Sequence, residues 1–233
     1  MNTAVSEFLL KLYLDSREFP LNEFKESTMN NLRNILHFDS ALWFTGSTVN
    51  QTSYPQNVYL YKQPDQMLVN YQSHQSSDPL LQALVGNPST SFNMLDLIEY
   101  EDWIKTDNYT EHCSKFEIEG ILSTLQMESH TSLYHVISFY RNKCSPSFSK
   151  QDKLLKQKLV PHLIEAMKSN FFIHTSQKII GDNSKQPWVN AVCDHLGGLI
   201  QADKHFSELL SHAYPEWQGP SLPFSIKEEN IGK

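Results

Sequence analysis

Cys193, Asp194 and His195 place a thiol and an imidazole two residues apart. On a strand that spacing puts both on one face, as a thiol nucleophile and its base require. A small apolar thiol, followed by a histidine opening the Gly197-Gly198 turn, accounts for the same residues without chemistry, and no catalytic residue is assigned. His112 and Cys113 offer two metal ligands, but a tetrahedral site needs three or four and no second pair stands at a regular spacing, so no metal ligand is assigned. The chain has 8 glycines, none in GxGxxG or GxxxxGK, and it lacks GxSxG. Backbone cradling of phosphate and the common α/β serine hydrolase are thereby set aside, and no cofactor is implied. The 10 histidines are scattered, with His130 and His135 in one hairpin, and form no pH-sensing cluster. The aromatic residues Trp43, Tyr59, Tyr61, Trp103 and Phe116 remain. Strands and a covering segment rich in aromatic residues line small-molecule pockets, though the same residues could build an ordinary core. The lining expected for a pocket is Trp43, Tyr59, Trp103 and Leu125.

Elements to position that lining are legible in the hydrophobic period. Val5, Phe8, Leu9, Leu12 and Tyr13 recur at helical spacing over 5–14, and Phe24, Met29, Leu32, Ile35 and Leu36 do so over 21–36. Ser40 to Thr45 and Val58 to Tyr61 are short, β-branched and aromatic, and read as strands joined by a polar loop. Helical pattern resumes over 64–84, with Asp78 as cap and Pro79 at the first helical position of its second half. Residues 86–118 form a long insertion, and two further strands follow at Gly120 to Met127 and Leu133 to Tyr140. A long helix over 149–172 has Phe148, Leu155, Leu159, Leu163 and Met167 to one side, with Lys150, Lys153, Lys156 and Lys158 expected on its exposed part. This order predicts an α+β fold, an antiparallel sheet with flanking helices and one long inserted cover. The strands within 39–62 and 119–141 would carry the pocket, and 86–118 would close it.

The polar stretch 176–186 reads as a linker. Beyond it, residues 188–202 suggest a hairpin around Gly197-Gly198, and 207–213 a short helix. Fewer than 50 residues follow the linker, too few for an independent domain. Composition narrows the class. Lys+Arg 19 against Asp+Glu 26 gives a net charge of −7, the wrong sign for wrapping nucleic acid or an anionic membrane. Eight acids and two lysines between Leu95 and Gly120 account for nearly all of that imbalance, so the acidity marks the cover and the rest is close to neutral. With 3 cysteines lacking any CxxC pair and no apolar run of membrane-spanning length, the expectation is a cytoplasmic protein with reduced thiols.

The runs FDSALWFTG, VYLYKQPDQMLVNY with DPL, EGILSTLQME, and ISFYRNK with LLKQKLVPHLIEAM resemble the GAF-like sensory region of bacterial LuxR-type helix-turn-helix transcriptional regulators. AVCDHLGGLIQADKHFSELL with PEWQGPSLP resembles the degenerate PAS-like segment that follows it in such proteins. Together these runs span most of residues 5–225. The resemblance implies a sensory and dimerising domain over 1–175, a linker over 176–186 and a degenerate or truncated PAS-like segment over 187–233. It also implies an unidentified small-molecule ligand, a homodimer, and contact with DNA only through a C-terminal helix-turn-helix; the apolar stripes of helices 5–14 and 149–172 exceed what one sheet face needs and are the expected dimer surface. Nothing after Pro223 has the basic helix of a major-groove reader, so that unit is expected to be missing from this chain. A related resemblance, to acyl-homoserine-lactone receptors, rests on MLVNYQSHQSSDPLLQALV and implies that Tyr71 and Asp78 hold a lactone head group and its amide. Met67 stands where that pattern has tryptophan, and Met94 where it has an aromatic residue. A ligand-free scaffold that uses the acidic segment to bind a basic protein is the other alternative.

Overall fold

The computed structural model describes residues 3–49, 52–128, 133–179, 191–194, 196–202, 204–223 and 226. Helices α1 (Thr3–Glu18) and α2 (Leu21–Leu32) lead into a hairpin of β1 (Ser40–Val49) and β2 (Thr52–Tyr61). Then come α3 (Gln66–Tyr71), α4 (Pro79–Gly86), β3 (Ser91–Asn93), α5 (Tyr100–Trp103), β4 (Gly120–Met127), β5 (Leu133–Arg141) and α6 (Lys150–Ile179). A small hairpin of β6 (Ala191–Cys193) and β7 (Leu199–Ala202) and helix α7 (Lys204–Ala213) end the described chain. The main sheet is antiparallel, in the order β2-β1-β5-β4-β3. The expected α+β architecture, an antiparallel sheet with flanking helices and a long inserted segment, is the one observed.

Strand alternation sorts the core into two layers. Ala41, Trp43, Tyr61, Leu122, Ile137 and Phe139 face α1, α2 and α6, which contribute Phe8, Leu12, Phe24, Met29, Leu159 and Leu163. Ile121, Leu125 and Tyr140 face the other way, against Met67, Leu80, Leu84, Met94 and Trp103 from the segments between β2 and β4. Trp43 is opposite Tyr59 on one side and Ile137 on the other, which fixes the register at the centre of the sheet.

Several sequence expectations need correction. The polar stretch between the first two strands is itself mostly strand, with a bulge between Thr45 and Gly46. Thr45 and Ser47 are buried there, and their hydroxyls are satisfied by His135 at 3.0 Å and by Gln56 at 3.1 Å. Glycine suits the bulge at position 46: a Cβ would lie 2.6 Å from Phe44 Cε1 and 2.7 Å from Tyr134 Cζ, so both rings would have to shift. Helix α2 stops at Leu32, and the apolar pattern runs on through turns in which the Leu36 N–H donates to the Leu32 carbonyl at 3.0 Å. The inserted segment contains a further strand, β3, at one edge of the sheet, too short to register as alternation. Helix α6 continues to Ile179, into the stretch expected as a linker; 180–186 lie outside the described residues.

Lys156 is not on the exposed part of α6 but is completely buried. Its Nζ donates to Thr124 Oγ1 at 2.9 Å and to the Ile137 carbonyl at 2.6 Å, and it lies 4.9 Å from the centre of the Phe139 ring. It makes no ion pair with a described residue, and burial pushes its ammonium well below the usual lysine range. Further along α6, Lys168 Nζ meets Glu128 Oε1 at 3.0 Å, and the same oxygen is 3.0 Å from His135 Nε2. Burial alone would raise the Glu128 carboxyl. The His135 hydrogen bond and the Lys168 charge override it and hold the group at about 2.

Candidate ligand site between the sheet and its cover

The second core layer is where chemistry converges. Asp78 caps α4: its Oδ1 accepts from the Leu80 N–H at 2.8 Å, and Pro79 supplies the first helical residue. Its other oxygen accepts from the Tyr71 hydroxyl at 2.6 Å. Asp78 is buried, and burial raises its carboxyl despite hydrogen bonds from Tyr71, Leu80, Leu81 and Asn108 that favour the ionised form. Burial, followed by the Asp78 charge, likewise raises the Tyr71 phenol, which keeps it a hydrogen-bond donor.

A single π-helical turn, Asn108–His112, turns Asn108 and His112 inward. Such turns insert an extra residue into a helix and recur where side chains must be re-aimed at a site. His112 Nδ1 is 2.7 Å from Asn70 Oδ1, and the Nδ1–H tautomer is assigned from that contact. Its ring lies 5.3 Å from Tyr71 and 5.3 Å from Phe116. Burial, with a smaller contribution from His74, brings His112 down to about 4, so the ring is neutral at physiological pH. Cys113 is buried beside it with its thiol pushed up by burial, the environment of an inert thiol. Among the described residues no three His, Cys, Asp or Glu side chains gather as a metal site.

Trp103 ends α5 and is 1% exposed, with its ring edge-on to Tyr109 at 4.9 Å. The Tyr109 hydroxyl donates to Glu119 Oε2 at 2.7 Å, and Tyr100 donates to the other oxygen of the same carboxylate. Gln63 Nε2 ties this cover to the sheet, donating to the Phe116 carbonyl at 3.1 Å and to Ser40 Oγ at 2.9 Å. Among the described residues the Trp103 indole N–H is buried without a hydrogen-bond partner. The Asn108 amide stands close enough to Asp78 to favour its charged form.

Four of the six residues expected at the site therefore come together on one side of the sheet: Tyr71, Asp78, Trp103 and Leu125. Trp43 and Tyr59 do not join them. They face α2, where Lys25 is buried with its Nζ 5.6 Å and 5.8 Å from their ring centres and hydrogen-bonded to Asn57 Oδ1. The Tyr59 hydroxyl donates to Glu26 on that helix. Strand parity is the reason, since Leu42 and Leu60 are the β1 and β2 residues that point toward the cover. Sequence reasoning missed Asn108 and weighed His112 only as a metal ligand; both sit in the acidic stretch that reads as a solvated surface. The other candidate cluster lies apart. Cys193 is on β6, Asp194 Oδ1 accepts from the Leu196 and Gly198 N–H groups at 2.8 and 2.7 Å to hold the turn, and His195 lies outside the described residues.

No protein-family model matches the sequence, and no curated protein matches it. Solved structures do share the fold. An N-acylhomoserine lactone dependent LuxR family transcription factor, CepR2 from Burkholderia cenocepacia, is 11% identical with a TM-score of 0.53, over 70% of this chain and 93% of that one. The VqsR LBD domain from Pseudomonas aeruginosa is 18% identical with a TM-score of 0.51, over 74% of this chain and 99% of that one. SdiA, a protein of Escherichia coli, in complex with octanoyl-rac-glycerol is 14% identical with a TM-score of 0.55, over 93% of this chain and 80% of that one. At these identities the likeness is one of fold.

Proposed function

We propose that this chain is the ligand-sensing and dimerising region of a cytoplasmic LuxR-type transcriptional regulator, without enzymatic activity, acting on DNA through a helix-turn-helix unit outside residues 1–233. The observation that carries the reading is the Tyr71–Asp78 pair, held at 2.6 Å at the start of α4 and enclosed by an apolar layer beneath the cover. A buried carboxylate with a hydroxyl fixed on it, surrounded by methionine, leucine and tryptophan, can orient the polar head of a molecule whose tail is apolar. Similarity of fold to an N-acylhomoserine lactone dependent transcription factor and to SdiA in complex with octanoyl-rac-glycerol supports the same reading. The acyl-homoserine-lactone alternative is favoured by the same pair, which occupies the positions that resemblance implies.

Ligand binding stabilises the folded state by mass action, so it is read as a concentration-dependent rise in Tm. We expect such a rise with N-octanoyl homoserine lactone or with octanoyl-rac-glycerol, and its loss in Asp78→Ala. No rise with either compound overturns the sensory reading. The dimer is proposed to form through α1, where Leu10, Tyr13 and Leu14 make an exposed stripe at helical spacing, Leu10 being 65% exposed. Sedimentation of Leu10→Lys as a monomer, against a wild-type dimer, supports that assignment; a monomeric wild type at high micromolar concentration overturns it.

A further inference from the structure

On the opposite side of the sheet from the cover, Lys25 is 1% exposed on the face of α2 that packs against the strands. Its Nζ lies 5.6 Å from the centre of the Trp43 ring and 5.8 Å from that of Tyr59, and its hydrogen-bond acceptor among the described residues is Asn57 Oδ1. An ammonium has three donor protons. The others are left to aromatic faces, which attract a cation without neutralising its charge. Lys156, the other buried lysine, has two acceptors. Burial brings Lys25 down to about 8 with no acid opposing it, so the group still carries its proton at pH 7. Glu26, next in the chain, gives its carboxylate to the Tyr59 hydroxyl, and Lys25 makes no ion pair with a described residue.

Two more polar atoms stand at this layer without a partner among the described residues: Trp43 Nε1 and Thr28 Oγ1, both buried. Trp43 is the ring beside the ammonium. Thr28 follows Lys25 by three residues on α2, so their Cβ atoms are neighbours on one helix face, about 5–6 Å apart. A helical threonine commonly returns its hydroxyl to the carbonyl four residues back, and Thr28 does not. An indole N–H, a hydroxyl and the unused ammonium protons are thus donors enclosed with an uncompensated positive charge. Water would accept from them and leave the charge unbalanced. The complement is an acceptor that is also negative. One cation calls for a single negative charge, since a second would itself be buried unpaired. Phe24, Met29 and Ile137 close the layer and are fully buried, which calls for an anion without a carbon chain.

We propose that Lys25, Trp43 and Thr28 form a second site, between α2 and the sheet, for a small monovalent inorganic anion of the halide class. The site is independent of the ligand-sensing reading, because it uses the opposite face of the sheet and none of the residues beneath the cover.

The test uses the whole chain with chloride and bromide as probes. Crystals soaked in sodium bromide are expected to show an anomalous peak in contact with Lys25 Nζ and Trp43 Nε1. In solution, sodium chloride exchanged for sodium gluconate at constant ionic strength should raise Tm with chloride concentration, as a ligand of the folded state does. Lys25→Met should remove the chloride-dependent part of that rise. Trp43→Phe, which keeps an aromatic ring and loses the N–H, should weaken chloride binding about tenfold or more, the order of a hydrogen bond to a charged partner. Should Trp43→Phe not fold, Thr28→Val, which keeps the volume and loses the hydroxyl, is read in its place and should weaken chloride in the same sense. An equal chloride response in wild type and Lys25→Met overturns the site, and so does a water without anomalous signal at Lys25. A bromide peak with no chloride-dependent rise in Tm shows binding at crystal concentration only and overturns it too.

Discussion

Replacing Lys156 by methionine should make the protein more stable at pH 7. The lysine is fully enclosed between α6 and the sheet, holds two neutral acceptors and makes no ion pair with a described residue. Exchanging a buried ionisable group for an apolar side chain of similar volume is commonly neutral to about 4 kcal/mol stabilising. The loss to set against it is small. Thr124 Oγ1 keeps a hydrogen bond with Ser91 Oγ at 2.6 Å, and Ile137 lies on β5, a strand paired on both sides. A net gain of about 1–3 kcal/mol follows. The pH dependence separates this cause from better packing. The folded-state pKa of Lys156 is depressed, so in the window between that value and 10.5 the unfolded chain binds a proton that the folded protein lacks. Wild-type stability therefore rises with pH across that window, by up to about 1.4 kcal/mol per unit for a single group, and the advantage of Lys156→Met shrinks accordingly. Lys25 titrates toward about 8 in both proteins and cancels from the difference. Urea unfolding of both proteins at pH 7 and pH 9.5 measures it. A variant destabilised by more than about 2 kcal/mol at pH 7, or a difference independent of pH, would refute the reasoning.

Glu128, held at about 2, contributes stability that is fully present above its unfolded value of 4.5 and is lost as pH falls toward 2. Acid unfolding of Glu128→Gln should lack that decline, which amounts to about 3 kcal/mol between pH 6 and pH 2. Gly46→Ala forces the Phe44 and Tyr134 rings apart and should lower the urea midpoint by an amount equivalent to about 1–3 kcal/mol; an unchanged midpoint would show that the rings move freely. For Asp78→Ala, loss of the α4 cap should cost about 1 kcal/mol without any ligand present, whereas Asp78→Asn, which can still accept from the Leu80 N–H, should keep most of it. Denaturant unfolding of the two variants side by side distinguishes the cap from the charge.

The elements most legible in the sequence were those whose period or end signal is local. The Asp78-Pro79 start of α4, the strands at 120–127 and 133–141, and the long final helix of the main unit all carry such signals. What the sequence did not disclose depends on tertiary pairing. Trp43 and Tyr59 have the right chemistry for a pocket, but which face of a strand meets the cover is decided by register, and one residue of offset reverses it. Lys156 sits among lysines that do lie on the surface, and only the position of Thr124 opposite it on β4 explains its burial. Asn108 and His112 are hidden by composition: a stretch dense in acids reads as solvated, yet a π-helical turn within it points two polar side chains inward.

The sheet is a partition only one residue thick. Leu125 faces the covered layer and its chain neighbour Thr124 faces α6, where it accepts from Lys156. A displacement of Leu125 on one side of the partition would therefore bear on the peptide that carries Thr124, and through it on the hydrogen bond from Lys156 on the other. That ammonium has no water to fall back on, and α6 is held to the sheet there by a contact with little slack.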